Sequence, residues 1–382
     1  MKKLLNAIFL ISGTAIGAGL IALPLTSVNL GTNILVAIIF FMVFVAYKTS
    51  MMTVDLNAAN GKSASIVDLS RSISGEKAFI ISMISFYTLS FSLLSVYFSG
   101  IANTLSSFFD FNDNFIIIIC GFLLFFILNL KYSAFSKLNS ILVVSLLVII
   151  LSAIIQIHTK ETSIMTSVYV VPQSISASEI IAFLPIIFTS FGVQNICSHI
   201  FESLNKDRGK IKIAFLIGIL IPAVVYIIWN SCVFENILAG DVQFFQKLQN
   251  HQISVGELIQ FLCKSSENMY MEIFFKILSL FAIITSAVGI GLGLKKSIEE
   301  SVTSSKYMAS AVVCGIPVAL CMAVPNAFIN ILSFGGMIAT VFVIFVPYYL
   351  LKKRLKQRMD FGDDLCLVFG VMIVLCELVR LA

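Results

Sequence analysis

The chain has 382 residues, 59% of them hydrophobic and 12% charged, with a net charge of +5. Soluble domains run at roughly 45–50% apolar and about 25% charged residues, so this composition excludes a soluble enzyme or binding module and indicates a membrane protein that crosses the bilayer many times. The small positive excess is no nucleic-acid signal, because its placement along the chain follows membrane topology.

A spanning helix needs about 20 mostly apolar residues. Eleven such stretches follow one another near 5–29, 33–57, 78–108, 114–130, 138–157, 179–204, 211–235, 269–295, 307–323, 326–350 and 364–381. The first is too long for the apolar core of a signal peptide and is expected to stay as a span. Its centre reads S-G-T-A-I-G-A-G at 12–19, inside a run from Leu4 to Leu30 without any charge. Gly13, Gly17 and Gly19 each weaken a helix by roughly 1 kcal/mol relative to Ala. Unwound backbone at membrane depth survives only when protein encloses it or when it lines a cavity. A break here leaves two half-helices. The outer one, starting near Gly19, offers free N–H groups and a positive dipole end to a carboxylate. The inner one, ending near Gly13, offers carbonyls to an ammonium or a metal cation. The spacing Gly13-x-x-x-Gly17 equally suits close helix packing.

Lys48, in the second stretch, is near enough to its inner end to extend to the interface. The sixth stretch carries a second interruption, F-T-S-F-G-V-Q-N at 188–195, where Gly192 sits among Thr189, Ser190, Gln194 and Asn195. His199 follows about one turn later, and Glu202 and Glu235 stand at span ends. Paired interruptions in the first span of two halves point to an inverted-repeat transporter with its site at the midplane. The halves would be 1–157 and 179–350, each of five spans, joined by an outer loop at 158–178. A basic inner loop and an eleventh span, 351–382, would complete the chain. The connections 158–178 and 236–268 are too short for a separate domain. Trp229 and most phenylalanines are expected to face lipid or to pack.

With the N-terminus inside, nineteen Lys and Arg residues fall in inner segments, among them Lys295, Lys296 and the run 352–358. Only Lys160, Lys247, Lys264 and Arg380 fall outside. This bias sets the N-terminus in the cytoplasm and the C-terminus outside. The eight cysteines form no C-x-x-C pair and read as packing residues. No H-E-x-x-H and no G-x-x-x-x-G-K-[ST] occurs among the residues, and with three histidines in all no enzymatic constellation is expected.

The blocks G-T-A-I-G-A-G-L-I-A-L-P at 13–24, Y-F-S-G at 97–100, P-I-I-F-T-S-F-G at 185–192, I-G-I-L-I-P-A-V-V-Y-I-I-W at 217–229, F-A-I-I-T-S-A-V-G-I-G-L-G-L at 281–294 and P-N-A-F-I-N-I-L-S-F-G-G at 325–336 cover most of the chain in order. In them the chain resembles the hydroxy and aromatic amino acid permeases, the tyrosine and tryptophan transporters of the amino acid, polyamine and organocation superfamily. The resemblance implies an all-α integral membrane protein of the leucine-transporter-type fold. That fold is a 5+5 inverted repeat with broken first and sixth helices, here with one additional helix, eleven in all. It implies a bacterial inner-membrane symporter for an amino acid, aromatic first, with serine, threonine or another neutral amino acid as the alternative. A non-transporting amino acid sensor is the remaining reading. Neither a cofactor beyond the coupling ion nor a protein or nucleic-acid partner is implied; the lipid bilayer is the surrounding.

Residue by residue, the resemblance puts the substrate carboxylate on the backbone of Ile16, Gly17, Ala18 and Gly19. The amine goes to carbonyls near Thr14, Ala15, Phe188 and Ser190 around the Gly192 break. Side-chain selectivity goes to Phe191, Val193, Gln194 and Tyr97. The tyrosine permeases read F-G-F-H-G where residues 191–195 read F-G-V-Q-N, so a ring and a titratable histidine are replaced by Val193 and Gln194. For the coupling ion, sodium-dependent members of the fold suggest the carbonyls of Gly13, Ile16 and Ala282 with the hydroxyls of Thr285 and Ser286. The family favours protons, in which case His199 is the expected titrating group. The fifth-span lysine that replaces the cation in some proton-coupled relatives is missing between Leu138 and His158.

Overall fold

A computed structural model describes residues 2–106, 112–130, 140–148, 150–152, 176–253, 255–264, 269–323, 328–355 and 359–381. Among them the chain is helical throughout, without strands: α1 (Lys2–Ser27), α2 (Thr32–Asn60), α3 (Ile66–Ser74), α4 (Glu76–Ser106), α5 (Asp113–Leu128), α6 (140–148), α7 (Ala177–Ser190), α8 (Cys197–Ser203), α9 (Arg208–Gly240), α10 (Val242–Gln249), α11 (Val255–Lys264), α12 (Met269–Ser301), α13 (Lys306–Ala323), α14 (Phe328–Thr340), α15 (Val346–Leu355) and α16 (Phe361–Leu381). Every apolar stretch read from the sequence is mainly helical where it is described. Seven helices are long and apolar enough to cross a membrane among the described residues. The expected outer loop at 158–178 and most of the segment from Leu138 to His158 lie outside the described residues.

The helices start where short polar side chains cap free N–H groups. Ser65 accepts from the Asp68 amide, Asp207 from Lys210, and Asp241 from Gln243 and Phe244. Pro24, Pro185, Pro222 and Pro317 sit inside helices, tolerated because neighbouring helices re-satisfy the freed carbonyls. The connection 236–268 is not plain loop: α10 and α11 lie in it as short amphipathic helices.

α1 is the axis of the packing, held between α9, α12 and α7, while α14 lies across α7 and α4. Large apolar side chains on the rim point outward, such as Phe40, Ile81, Phe122, Leu216 and Val368, as a bilayer demands. Both expected interruptions are present. In α1 the chain leaves helical geometry at one residue, Gly17 (φ −31°, ψ −110°), between the half-helix ends expected near Gly13 and Gly19. The sixth stretch ends one helix at Ser190, turns through Phe191–Val193, makes a 3₁₀ turn at Gln194–Ile196 and resumes as α8. A short π-helical segment, Val341–Phe345, interrupts the tenth.

One placement differs from the sequence reading. α12 runs on to Ser301, so Lys295 and Lys296 are helix residues, not loop residues. Lys295 is buried and donates to Leu128 O (2.8 Å) and Asn129 Oδ1 (3.1 Å), capping α5. Lys296 reaches Ser63 (2.7 Å) and Glu202 (3.2 Å). Trp229 takes the packing alternative: it is buried, and its indole N–H is hydrogen-bonded within the bundle.

The two ends of the bundle are tied differently. At the end bearing α3, Asp55 pairs with Arg208, and Lys48 pairs with Asp360 (2.6 Å) and Asp363 (3.0 Å). At the end bearing α10, Glu179 meets His251 (3.1 Å) and accepts from Asn29 (3.1 Å), which also donates to Gln249 O (2.9 Å).

Candidate functional site

The break in α1 faces α12 and α9. A Cβ built on Gly17 would collide with the Ser286 side chain and lie 3.3 Å from Ala282 O. The glycine is therefore required for close approach as well as for the kink. Ser286 Oγ donates to Thr14 O (2.8 Å) and Gly13 O (3.2 Å), and Thr285 Oγ1 donates to Ala282 O and Phe281 O, both at 3.0 Å. Of the oxygens named for an ion, Ser286 thus meets Gly13 O across the two helices and Thr285 meets Ala282 O within α12, both hydroxyls being hydrogen-bonded to carbonyls. Ile16 is fully buried in the same region.

On the α9 side, the Tyr226 hydroxyl donates to Ala15 O (2.5 Å) and lies 3.4 Å from Ser190 O. One phenol therefore touches the freed carbonyls of both broken helices. Its ring meets Phe191 edge-on at 5.5 Å and 83°. A Cβ on Gly19 would run into the Tyr226 hydroxyl and come within 2.8 Å of Ser190 Cβ. One turn on from Tyr226, Trp229 Nε1 donates to Leu20 O (2.7 Å), a carbonyl on the outer half of α1. Sequence reasoning missed Tyr226 as a site residue. The available signal was Y-I-I-W at 226–229, two polar-tipped rings on one helix face.

Between the broken helices lies a cavity of about 20 Å³, room for one or two waters. A larger ligand enters only if the helices move. Of the residues named for the substrate, Thr14, Ala15, Tyr97, Phe188, Ser190, Phe191, Gly192 and Gln194 line it. Tyr97 comes from α4 and has Ser286 beside its hydroxyl. Ile16, Gly17, Gly19 and Val193 do not line it; Val193 is buried in the packing behind. The side chain of Ala18 lies outside the described residues. α14 and the π-helical segment supply walls the sequence did not suggest, Ala339, Phe342 and Val343. A second cavity of about 10 Å³ opens toward Ser65 and Ile66 and shares Gln194, Asn195 and Phe342 with the first. His199 lines neither; its Nε2 lies 3.3 Å from Leu292 O on α12.

The model of the tryptophan/tyrosine permease family matches residues 1–377. Among characterised relatives, the tyrosine-specific transport system 1 of Haemophilus influenzae is 23% identical, the match covering 98% of this chain and 96% of that protein. Glutamine transporter 2 of Aliivibrio fischeri is 24% identical, over 94% and 91% of the two chains. The solved structure of a Na+-coupled sialic acid symporter, in a substrate-bound outward-open state, superposes with a TM-score of 0.60 at 11% identity, covering 98% of this chain and 88% of that one. The chain belongs to the tryptophan/tyrosine permease family, and it shares its fold with the symporter.

Proposed function

We propose that this member of the tryptophan/tyrosine permease family is a secondary transporter of the bacterial inner membrane, importing an amino acid, aromatic first, by ion-coupled symport. The observation that carries this reading is the meeting of two broken helices, at Gly17 and at Phe191–Val193, over one closed cavity. In a bilayer such exposed backbone is costly unless it serves a ligand or lines a water-filled path. Amides following Gly17 suit the substrate carboxylate, and carbonyls at Thr14, Ala15, Phe188 and Ser190 suit its ammonium. The substrate side chain would then extend toward Phe191, Gln194 and Tyr97.

Transport follows if the bundle opens at one end while the other stays tied, the pairs at the α3 and α10 ends being made and broken in turn. The reading includes eleven spans in a leucine-transporter-type 5+5 inverted repeat, residues 1–157 and 179–350. It places the N-terminus inside, in keeping with the Lys and Arg bias.

A second substrate reading, glutamine or another polar neutral amino acid, is favoured by Gln194 and Asn195 in the cavity wall. For the coupling ion, a proton is the first reading, with His199 as the titrating group; the Thr285–Ser286 pair beside the α1 break supports sodium as the alternative. Uptake into proteoliposomes, under a pH gradient or a sodium gradient imposed separately, tests both. Accumulation under neither gradient would reject symport. Accumulation that needs sodium, ignores the pH gradient and is lost in Thr285→Ala with Ser286→Ala would reject the proton.

A further inference from the structure

In the cavity wall, Gln194 is buried at 8% exposure, and its amide is only half satisfied. Nε2 donates to Thr49 Oγ1 on α2 at 2.7 Å, whereas Oε1 has no hydrogen-bond partner among the described residues. Thr49 explains which way the amide points. Its single hydroxyl hydrogen is engaged by the carbonyls of its own helix, Val45 O at 2.9 Å and Ala46 O at 3.2 Å. The hydroxyl therefore presents a lone pair to Gln194, and a lone pair can receive only the amide N–H. The carboxamide oxygen is left as an open acceptor in a wall otherwise rich in apolar groups such as Leu89, Leu93 and Phe342.

A buried acceptor without a partner is costly, and native proteins keep few of them without a reason. In the closed structure the oxygen has less than 1 Å² of accessible surface, so a partner reaches it only once the helices part. A ligand that then leaves the oxygen without a hydrogen bond loses affinity. We propose that Gln194 Oε1, aimed by Thr49, accepts a hydrogen bond from the side chain of the substrate. The transported amino acid must then carry a side-chain donor, a phenol or alcohol O–H, an indole N–H or a carboxamide. Phenylalanine, leucine and methionine, which carry no such donor, are rejected. Thr49 is a positioning residue in this scheme, because it lines neither cavity and acts through Gln194. The inference rests on the transporter reading above and narrows its substrate to one chemistry, since a site built around a hydrogen bond rejects analogues lacking the donor far more strongly than it resolves a methylene group.

The test is equilibrium binding to the purified full-length protein, with ligands in pairs that differ in the donor. The pairs are tyrosine with phenylalanine, tryptophan with its benzothiophene analogue, and glutamine with methionine. In each pair with a binding member, the donor-bearing ligand should bind at least about tenfold more tightly. Gln194→Met should collapse that ratio toward one, chiefly by weakening the donor-bearing ligand. Thr49→Val, which frees the amide to turn, should also lower the ratio, and Thr49→Ser should restore it. A role of Thr49 in helix packing alone would lower both affinities together and leave the ratio intact. Equal binding within pairs, or preference for the partner without the donor, would overturn the inference and leave the transporter reading standing. Binding of no amino acid at all would overturn both.

Discussion

The two broken helices solve the same problem in opposite ways. In α1 the departure from helical geometry is confined to Gly17, and neighbours close around it: Ser286 donates to Gly13 and Thr14, Tyr226 to Ala15, and Trp229 to Leu20. Between α7 and α8 the break runs through Phe191–Val193 into a 3₁₀ turn. Polar side chains stand in it, and one of them, Gln194, keeps an open acceptor. The first break is built from backbone and the second from side chains. Under the proposed reading this divides the labour: main chain would meet the parts common to every amino acid, and side chains that can change would meet the variable part.

The largest expected effect comes from filling the tight side of that comparison. Gly17→Ala and Gly19→Ala place a methyl group against Ser286 and Tyr226 respectively. Overpacking of this kind costs about 1–3 kcal/mol. Both variants should insert, melt at lower temperature and lose uptake to background, measured by thermal denaturation in detergent and by proteoliposome transport. The equivalent insertion at the second break, Val193→Ile, should lower the melting temperature but spare substrate binding, because Val193 is buried behind the cavity wall. Uptake by Gly17→Ala at the wild-type rate would mean that α1 need not touch Ser286 during transport.

Next in size is the phenol that joins the two breaks. Tyr226→Phe keeps the edge-on contact with Phe191 but strips Ala15 O of its donor, a loss of about 1–3 kcal/mol. Ala15, Ser190 and Phe191 all line the cavity, so substrate affinity should fall about 10- to 100-fold. Trp229→Phe removes an analogous bond to Leu20, which does not line the cavity. It should lower the melting temperature with little change in affinity. Equal losses of affinity in both variants would show that the outer half of α1 responds as one rigid piece.

How much of this was legible in the sequence follows from the same division. Glycines in a charge-free run announce a backbone break by their own chemistry, and Gly17 and Gly192 were found that way. The contacts of Lys295 and Trp229 were not. A lysine at the end of an apolar run reads as an interface residue, and only the fold brings the C-terminal carbonyls of α5 to its ammonium. A lone tryptophan reads as packing until a freed carbonyl appears opposite it. Tyr226 and Thr49 belong to spans with no interruption of their own, so their roles exist only through contacts made to other helices. Val193 was named from the family motif and does not line the cavity, since a motif does not tell which way a side chain points in a turn of non-repeating geometry.

The smallest expected effect concerns the ends of the bundle rather than its centre, where the ties must be weak enough to release. Lys48 is held by Asp360 and Asp363, with the Asp360 side chain 62% exposed. Such a solvent-facing pair contributes under about 1 kcal/mol. The hydrogen bond from the Lys48 ammonium nevertheless holds the Asp360 carboxyl below the ordinary carboxylate range. A group whose folded pKa is depressed adds stability above its unfolded pKa, here 3.8, and loses it as pH falls through the folded value. The melting temperature of Lys48→Met should therefore lie slightly below wild type at neutral pH and keep that gap down to about pH 5. Below about pH 4 the two curves should converge. A gap that persists unchanged into strong acid would assign the effect to the packing of the lysine stem against α16, and the tie at the α3 end would then be apolar rather than ionic.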